Sequence, residues 1–87
     1  MYSLNILPEL EKVFIKLAKK NKKQVEIIFK KVDELLLNPQ HYKNLKAPFN
    51  HCKRVHVGNS FVLVFSVDEN TKTVTLEDYS HHDIIYR

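Results

Sequence analysis

The sequence predicts an α+β fold, in which an antiparallel helical hairpin packs on one face of a short antiparallel sheet. Two apolar stripes of helical period lie in the first half of the chain, and an apolar period of two, broken by turn residues, runs through the second half. The chain has 87 residues, which is the size of one domain. We therefore expect a single domain over residues 1–87.

The first half is predicted to contain an N-terminal strand and two helices. A strand over residues 2–7 is followed by Pro8, which suits the first position of a helix. Asn21 is the expected break or N-cap between the helices, and Asn38 ends the second helix because the residue before a proline, here Pro39, is disfavoured in helical geometry. The apolar stripes are Leu10, Val13, Phe14, Leu17 and Ala18 in the first helix, and Val25, Ile28, Phe29, Val32, Leu35 and Leu36 in the second.

The second half is predicted to form a three-stranded antiparallel meander, after an irregular connection over residues 39–50. A tight turn at Gly58, the one glycine of the sequence, joins the first two strands. Ser80 and Asp83 have the spacing of a capping pair, so residues 81–87 are expected to close the chain as a short C-terminal helical turn. The three strands are predicted over residues 53–57, 60–67 and 73–79.

Positive charge is concentrated in the first half of the chain. The formal net charge is +4, and residues 1–46 hold ten lysines against five acids, whereas residues 47–87 hold four basic residues against five acids. This distribution favours attraction to a polyanion or to an acidic protein. The alternative is that most of the lysines only solvate the outer faces of the two helices.

The composition also disfavours several classes of protein. Cys52 is the one cysteine, which excludes an internal disulfide and favours the role of a small buried hydrophobic residue. No apolar run reaches the ~20 residues that span a bilayer, and the first residues lack the order of a signal peptide. We therefore expect a cytoplasmic protein with no membrane association.

Strand alternation divides the residues of the predicted sheet between two faces. The face toward the helices is predicted to hold Val55, Val57, Phe61, Leu63, Phe65, Val67, Val74 and Leu76. The other face is predicted to be open and to hold Arg54, His56, Val62, Val64, Thr75, Glu77 and Tyr79, with His81 just past the strand end. Outward placement of polar residues alone would also put Arg54 and His56 there.

This open face carries residue types that cleave RNA without a metal or another cofactor. The 2′-hydroxyl of RNA is an internal nucleophile, so the protein needs a proton acceptor, a proton donor and a cation at the phosphate. Histidine suits both proton roles because its ordinary pKa is about 6.5, and arginine binds two phosphate oxygens at once. The candidates are Arg54, His56, His81 and Tyr86.

Other roles for the histidines are less well supported by the sequence. A metal site at His81, His82 and Asp83 is disfavoured because adjacent side chains diverge and no ligand trio of the usual spacing is present. His41 and His51 lie in the irregular connection, where we expect them to be exposed and without a role in the chemistry. The alternative is that either one reaches a bound RNA strand.

The order of elements and three stretches of sequence resemble the RelE/ParE superfamily of type II toxin–antitoxin toxins. The stretches are Asn38-Pro39 with residues 42–46, the basic strand over residues 53–58, and the terminal residues 78–87. The closing pattern His-x-Asp-x-x-Tyr-Arg looks like the RelE branch in particular. The resemblance covers nearly the whole chain.

Membership of the RelE branch would imply a ribosome-dependent mRNA endoribonuclease that cuts codons in the A site by 2′-hydroxyl attack and halts translation. It would also imply a cognate RelB-like antitoxin, which we expect to be acidic and to form a heterotetramer with the toxin, besides the ribosome and mRNA as partners. No metal and no cofactor are implied. The matching catalytic residues are Arg54, His56, Tyr86 and one of the adjacent pair His81 and His82, and the matching substrate-binding residues are Lys46, Lys53 and Arg87.

One departure from the family pattern leaves other functions open. Many relatives carry an arginine soon after the turn glycine, where this chain has Phe61 and Val62. A ParE-type inhibitor of DNA gyrase, which shares the fold without the nuclease chemistry, is one alternative. A non-catalytic nucleic-acid-binding domain is another, although Tyr79 is the one aromatic residue expected on the open face for base stacking. Val62 and Val64 are expected to serve as apolar anchors for the antitoxin.

Overall fold

A helical hairpin and a four-stranded sheet form the two layers of the protein. The computed structural model describes residues 1–81. Its elements are β1 (Ser3–Ile6), α1 (Pro8–Lys20), α2 (Lys22–Leu37), a 3₁₀ turn (Pro39–His41), β2 (Lys53–Val57), β3 (Phe61–Asp68) and β4 (Thr73–His81). Strands β2, β3 and β4 form the predicted antiparallel meander, and β1 pairs in parallel with β4, which gives the order β1-β4-β3-β2. The predicted α+β fold is confirmed, and the N-terminal strand is part of the sheet.

The ends of both helices follow from local sequence signals. Pro8 lies in the first turn of α1, and the Asn21 side chain caps α2 by accepting a hydrogen bond from the Gln24 N–H at 3.1 Å. α2 ends before the Asn38-Pro39 pair. Asparagine is a preferred N-cap residue, and a residue before proline leaves the helical region. The predicted boundaries are confirmed at these three points.

The main hydrophobic core lies between the hairpin and one face of the sheet. Phe14 of α1 packs edge-on against Phe29 of α2, with ring centroids 5.6 Å apart. Val13 and Ala18, which lie at the edges of the predicted α1 stripe, are exposed. The buried residues of this core are Leu10, Phe14, Ile28, Val32, Leu35, Leu36, Val55, Val57, Leu63, Phe65, Val74 and Leu76. The predicted helix-facing side of the sheet is therefore confirmed.

A β-bulge in β4 changes which residues face the helices. The register of β3 against β4 shifts between Val64 and Phe65, which leaves Glu77 as an extra residue on β4. Alternation beyond the bulge is reversed, and Tyr79 packs on the helix side with its ring 5.9 Å from that of Phe14. The prediction that Tyr79 lies on the open face is wrong, because alternation in the sequence does not reveal a bulge.

The connection between α2 and β2 folds back over the other face of the sheet. A second hydrophobic cluster there consists of Leu45, Cys52, Val62 and Val64. The Leu45 N–H donates a hydrogen bond to the Cys52 carbonyl oxygen at 2.9 Å, and Val62 is 0% exposed. The prediction that the two valines are open anchors for an antitoxin is wrong, because the connection covers them. Cys52 has the buried role expected of it, and burial raises the pKa of its thiol.

Strand β4 continues beyond the predicted end at Tyr79. It includes Ser80 and His81, and His81 lies opposite Phe61 of β3. The expected C-terminal helical turn therefore does not begin at His81, and its other residues, 82–87, lie outside the described residues. Within residues 1–81, neither helix has the length and apolar character needed to cross a membrane.

A polar cluster ties the N-terminus and the 3₁₀ turn to the turn between β3 and β4. The Glu69 carboxylate accepts hydrogen bonds from the Lys72 ammonium at 2.8 Å and from the Gln40 side-chain amide. The Tyr2 hydroxyl donates to the same carboxylate at 2.8 Å. These hydrogen bonds, that of Lys72 above all, lower the pKa of Glu69 from its ordinary 4.5 to about 2. The ionised carboxylate therefore stabilises the contact between three segments of the chain.

We expect Glu69→Gln to lower the free energy of unfolding at neutral pH and to have little effect near pH 2. Because the folded-state pKa of about 2 lies below 4.5, the ionised carboxylate stabilises the fold fully above pH 4.5 and progressively less as the pH falls toward 2. Urea denaturation between pH 2 and pH 7 measures this difference, and added salt should reduce it because the group is exposed. Asp33→Asn, an exposed position on α2, is the control. A loss of stability that is equal at both ends of the pH range would contradict the assignment.

Candidate functional site

Arg54 and His56 lie on the same face of β2. Arg54 pairs with Val64 and His56 pairs with Val62 of the neighbouring strand β3, so both side chains lie on the face away from the helices. Arg54 is half-buried and His56 is exposed. Since β2 is at the edge of the sheet, its outer side is bordered by the connection between α2 and β2.

The connection fixes the position of Arg54. The Arg54 backbone N–H donates a hydrogen bond to the Lys43 carbonyl oxygen at 3.0 Å. The Arg54 Nη1 donates to the Asn44 carbonyl oxygen at 3.1 Å, and Asn44 also forms an isolated β-bridge with Lys53. The backbone of the connection therefore holds the guanidinium at the edge of the sheet.

A cleft of about 410 Å³ opens between β2, α2 and the connection. It is lined by Lys31, His41, Tyr42, Lys43, Arg54, Val55 and His56. Three of these residues are cationic, two carry imidazoles and none is acidic. Within residues 1–81, no three His, Cys, Asp or Glu side chains are placed to hold a metal ion. Because basic groups that converge in a cleft concentrate anions, the site suits a phosphate group.

His81 lies on the other face of the sheet from Arg54 and His56. It is opposite Phe61, and the two rings are 5.7 Å apart in an edge-to-face arrangement. Phe61 in turn stacks on Tyr79 with ring centroids 5.1 Å apart, and both pack on the main core. The structure therefore brings Arg54 and His56 together but does not bring His81 to them.

The residues predicted to bind substrate have different environments. The Lys53 ammonium donates hydrogen bonds to the Tyr42 carbonyl oxygen at 3.1 Å and to Asn44 Oδ1 at 2.7 Å, so it stabilises the connection. Lys46 is exposed and does not line the cleft. The predicted site residues His82, Tyr86 and Arg87 lie outside the described residues.

Lys31, His41 and Lys43 are cleft residues that the sequence pattern did not single out. Lys31 is one of many lysines on the helices, and the irregular connection has no period from which the direction of a side chain could be inferred. His41, for which contact with a bound strand is only the alternative expectation, lines the same cleft as His56. The spacing of the histidines along the chain gives no signal that two of them line one cleft.

Comparisons with known proteins identify relatives over the full chain. No protein-family model matches the sequence. An uncharacterised protein of Methanosarcina mazei is 66% identical over 86 residues, which cover 99% of this chain and 100% of the relative. A Methanocaldococcus jannaschii protein named as the toxin RelE4 is 54% identical over 87 residues, which cover 100% of this chain and 93% of the relative. The chain belongs to the RelE toxin family.

Solved structures share the fold of this RelE-family toxin. The RelBE2 toxin–antitoxin complex of Mycobacterium tuberculosis has a TM-score of 0.78 at 15% identity, over 92% of this chain and 96% of that chain. A variant of Escherichia coli RelE in which two arginines are replaced by alanine, in the free state, has a TM-score of 0.76 at 22% identity, over 95% of this chain and 85% of that chain. With the RelE4 relative, this likeness confirms the predicted resemblance. The protein is a toxin of the RelE type from a toxin–antitoxin system.

Proposed function

We propose that this RelE-family toxin is a ribosome-dependent endoribonuclease that cleaves mRNA in the A site. The observation that supports the proposal most directly is the cleft at the edge of β2, where Arg54 and His56 lie among further basic side chains, and where none of the lining residues from the described part of the chain is an acid. Because β2 is an edge strand of the sheet, we place the RNA strand along this edge with its phosphate beside Arg54.

The proposed reaction needs no metal because the substrate supplies its own nucleophile. The His56 imidazole accepts the proton of the 2′-hydroxyl as that oxygen attacks phosphorus, and the Arg54 guanidinium stabilises the added negative charge. The bond between phosphorus and the 5′-oxygen then breaks, and the 5′-oxygen takes a proton from a second group. The products are a 2′,3′-cyclic phosphate and a 5′-hydroxyl.

Three side chains are candidates for the proton donor. The family resemblance implies His82 or Tyr86, which lie outside the described residues, whereas His41 is the second imidazole that lines the cleft. His81 lies on the other face of the sheet from Arg54 and His56, so we do not propose it as the donor. Substrate contacts by Lys46, Lys53 and Arg87 stay predictions.

We further propose an acidic RelB-like antitoxin as the partner, in a heterotetramer. Residues 12–23 hold six lysines and no acid, and none of the six forms an ion pair within residues 1–81. A YoeB–YefM toxin–antitoxin complex of Staphylococcus aureus, which shares this fold, is heterotetrameric. Because salt screens the attraction between these lysines and an acidic antitoxin, we expect the affinity for the antitoxin to fall as the salt concentration rises.

Mapping of RNA 5′-ends in cells that express the toxin tests the nuclease proposal. We expect growth arrest together with new 5′-hydroxyl ends inside translated regions, and no such ends when translation is blocked. The control is the double variant Arg54→Ala/His56→Ala, which should fold and fail to cleave. Growth arrest with broken DNA and intact mRNA would instead favour a ParE-type gyrase inhibitor, and RNA binding without cleavage would favour a binding domain.

A further inference from the structure

We propose that Lys43 is the second cation of the ribonuclease site and binds the scissile phosphate together with Arg54. The inference rests on the proposed function and names a residue of that site. Strand β3 supplies no cation there, because Val62 and Val64 are buried beneath Leu45 and Cys52. A second positive charge has to come from the other side of Arg54, where the connection borders β2.

The register of the connection places Lys43 beside Arg54. Asn44 is the antiparallel bridge partner of Lys53, so the residue opposite Arg54 is Lys43. The hydrogen bond of 3.0 Å from the Arg54 N–H to the Lys43 carbonyl oxygen agrees with this register. Residues that are directly opposite in antiparallel strands share a face, with Cβ atoms about 4.5–5.5 Å apart. Lys43 therefore lies on the face that also carries His56, and it lines the same cleft.

The charges around this pair favour a bound anion. Like charges that are opposite across a bridge repel each other, and none of the described residues that line the cleft is acidic. Within residues 1–81 the Lys43 ammonium forms no ion pair, whereas the other cleft lysine, Lys31, is 3.2 Å from Glu34. A phosphate beside the two cations would give the Lys43 ammonium an attractive contact.

The neighbouring His56 makes a scissile RNA phosphate the fitting anion. Arginine grips phosphate oxygens with a planar fork, and lysine adds a mobile point charge. His56 is two residues from Arg54 on the same face of β2, which is the position of a proton acceptor beside a bound linkage. A carboxylate ligand would have no hydroxyl proton for this imidazole to accept.

Single-turnover cleavage of a defined mRNA on purified ribosomes tests the role of Lys43. We expect Lys43→Ala to lower the rate constant about 10- to 100-fold, the effect of removing one charged contact to phosphate, and Lys43→Arg to keep most of the rate. Lys43→Ala should fold, because the connection uses the backbone carbonyl of this residue, which alanine retains. The control is Lys30→Ala, an exposed lysine of α2 that does not line the cleft.

Salt dependence provides a readout that does not require cleavage. We expect the toxin to bind a 2′-O-methylated oligoribonucleotide, which lacks the nucleophile, with an affinity that falls as salt rises. Removal of one phosphate contact should reduce the slope of log K against log salt by about 0.7. Lys43→Ala should show this reduction and Lys30→Ala should not.

The outcomes separate the inference from the proposed function. Wild-type cleavage together with an unchanged rate or an unchanged salt slope in Lys43→Ala would overturn the inference and leave the nuclease proposal standing. An equal loss in Lys30→Ala would also overturn it, because the effect would then be one of net charge. Absence of cleavage by the wild-type toxin would overturn the proposed function. The salt slope would then still decide whether Lys43 binds an RNA phosphate.

Discussion

Replacement of His56 by alanine is expected to slow RNA cleavage by about 10²–10⁴-fold, the usual contribution of one proton-transfer group. Replacement of His81 is expected to leave the cleavage rate of the folded protein almost unchanged, because its ring packs on Phe61 on the opposite face of the sheet. Single-turnover cleavage of the same mRNA on ribosomes compares the two variants. Urea denaturation measured in parallel separates a loss of chemistry from a loss of folded protein.

His51→Ala is the matched control for the loss of an exposed histidine. His51 lies in the connection and does not line the cleft, so we expect neither the rate nor the stability to change. A full cleavage rate in His56→Ala, with a slow rate and unchanged stability in His81→Ala, would contradict the placement of the site on the face of the sheet that carries His56. The chemistry would then lie on the helix side of the sheet.

The helix boundaries could be predicted from the sequence because their causes are local. Pro8 sets the start of α1, and the Asn21 side chain reaches only as far as the Gln24 N–H. The end of α2 depends on Asn38 and the proline that follows it. Each signal acts within one helical turn, so no knowledge of the sheet is needed to read it.

The faces of β4 could be predicted only up to the bulge. Thr75 and Leu76 alternate as expected, but Glu77 is an extra residue against β3, and its carboxylate accepts a hydrogen bond from the Ser66 hydroxyl at 2.7 Å. The bulge depends on how two strands pair, which a single strand's pattern does not encode. The positions of Tyr79 and His81 were therefore out of reach of sequence alternation.

Only part of the cleft could be predicted from the sequence. Alternation along β2 was enough to place Arg54 and His56 together, because both lie on one short strand without a bulge. Lys43 and His41 come from a segment without periodicity, and their place in the cleft depends on its pairing with β2. Such a contact is set by the folded connection as a whole, so composition and spacing do not reveal it.

Phe65→Ala is expected to lower the free energy of unfolding by about 3–5 kcal/mol, the usual cost of emptying a buried phenylalanine site. Phe65 is 0% exposed, and its ring is 5.8 Å from that of Tyr42 in an edge-to-face arrangement. A domain of this length has about 4–13 kcal/mol in total by per-residue scaling. The melting temperature should therefore be lower by at least about 12 °C.

Phe49→Ala is the matched control, because Phe49 is 60% exposed and its loss should cost no more than about 0.5 kcal/mol. Phe65→Leu keeps part of the side-chain volume at this position, so its free energy of unfolding can be measured even if the alanine variant does not fold. Since Tyr42 adjoins Lys43 in the connection, loss of the Phe65 ring should also loosen the segment beside Arg54. Cleavage by Phe65→Leu should then fall by more than its folded fraction. A stability loss below about 1 kcal/mol in Phe65→Ala would show that the core is not centred on this ring.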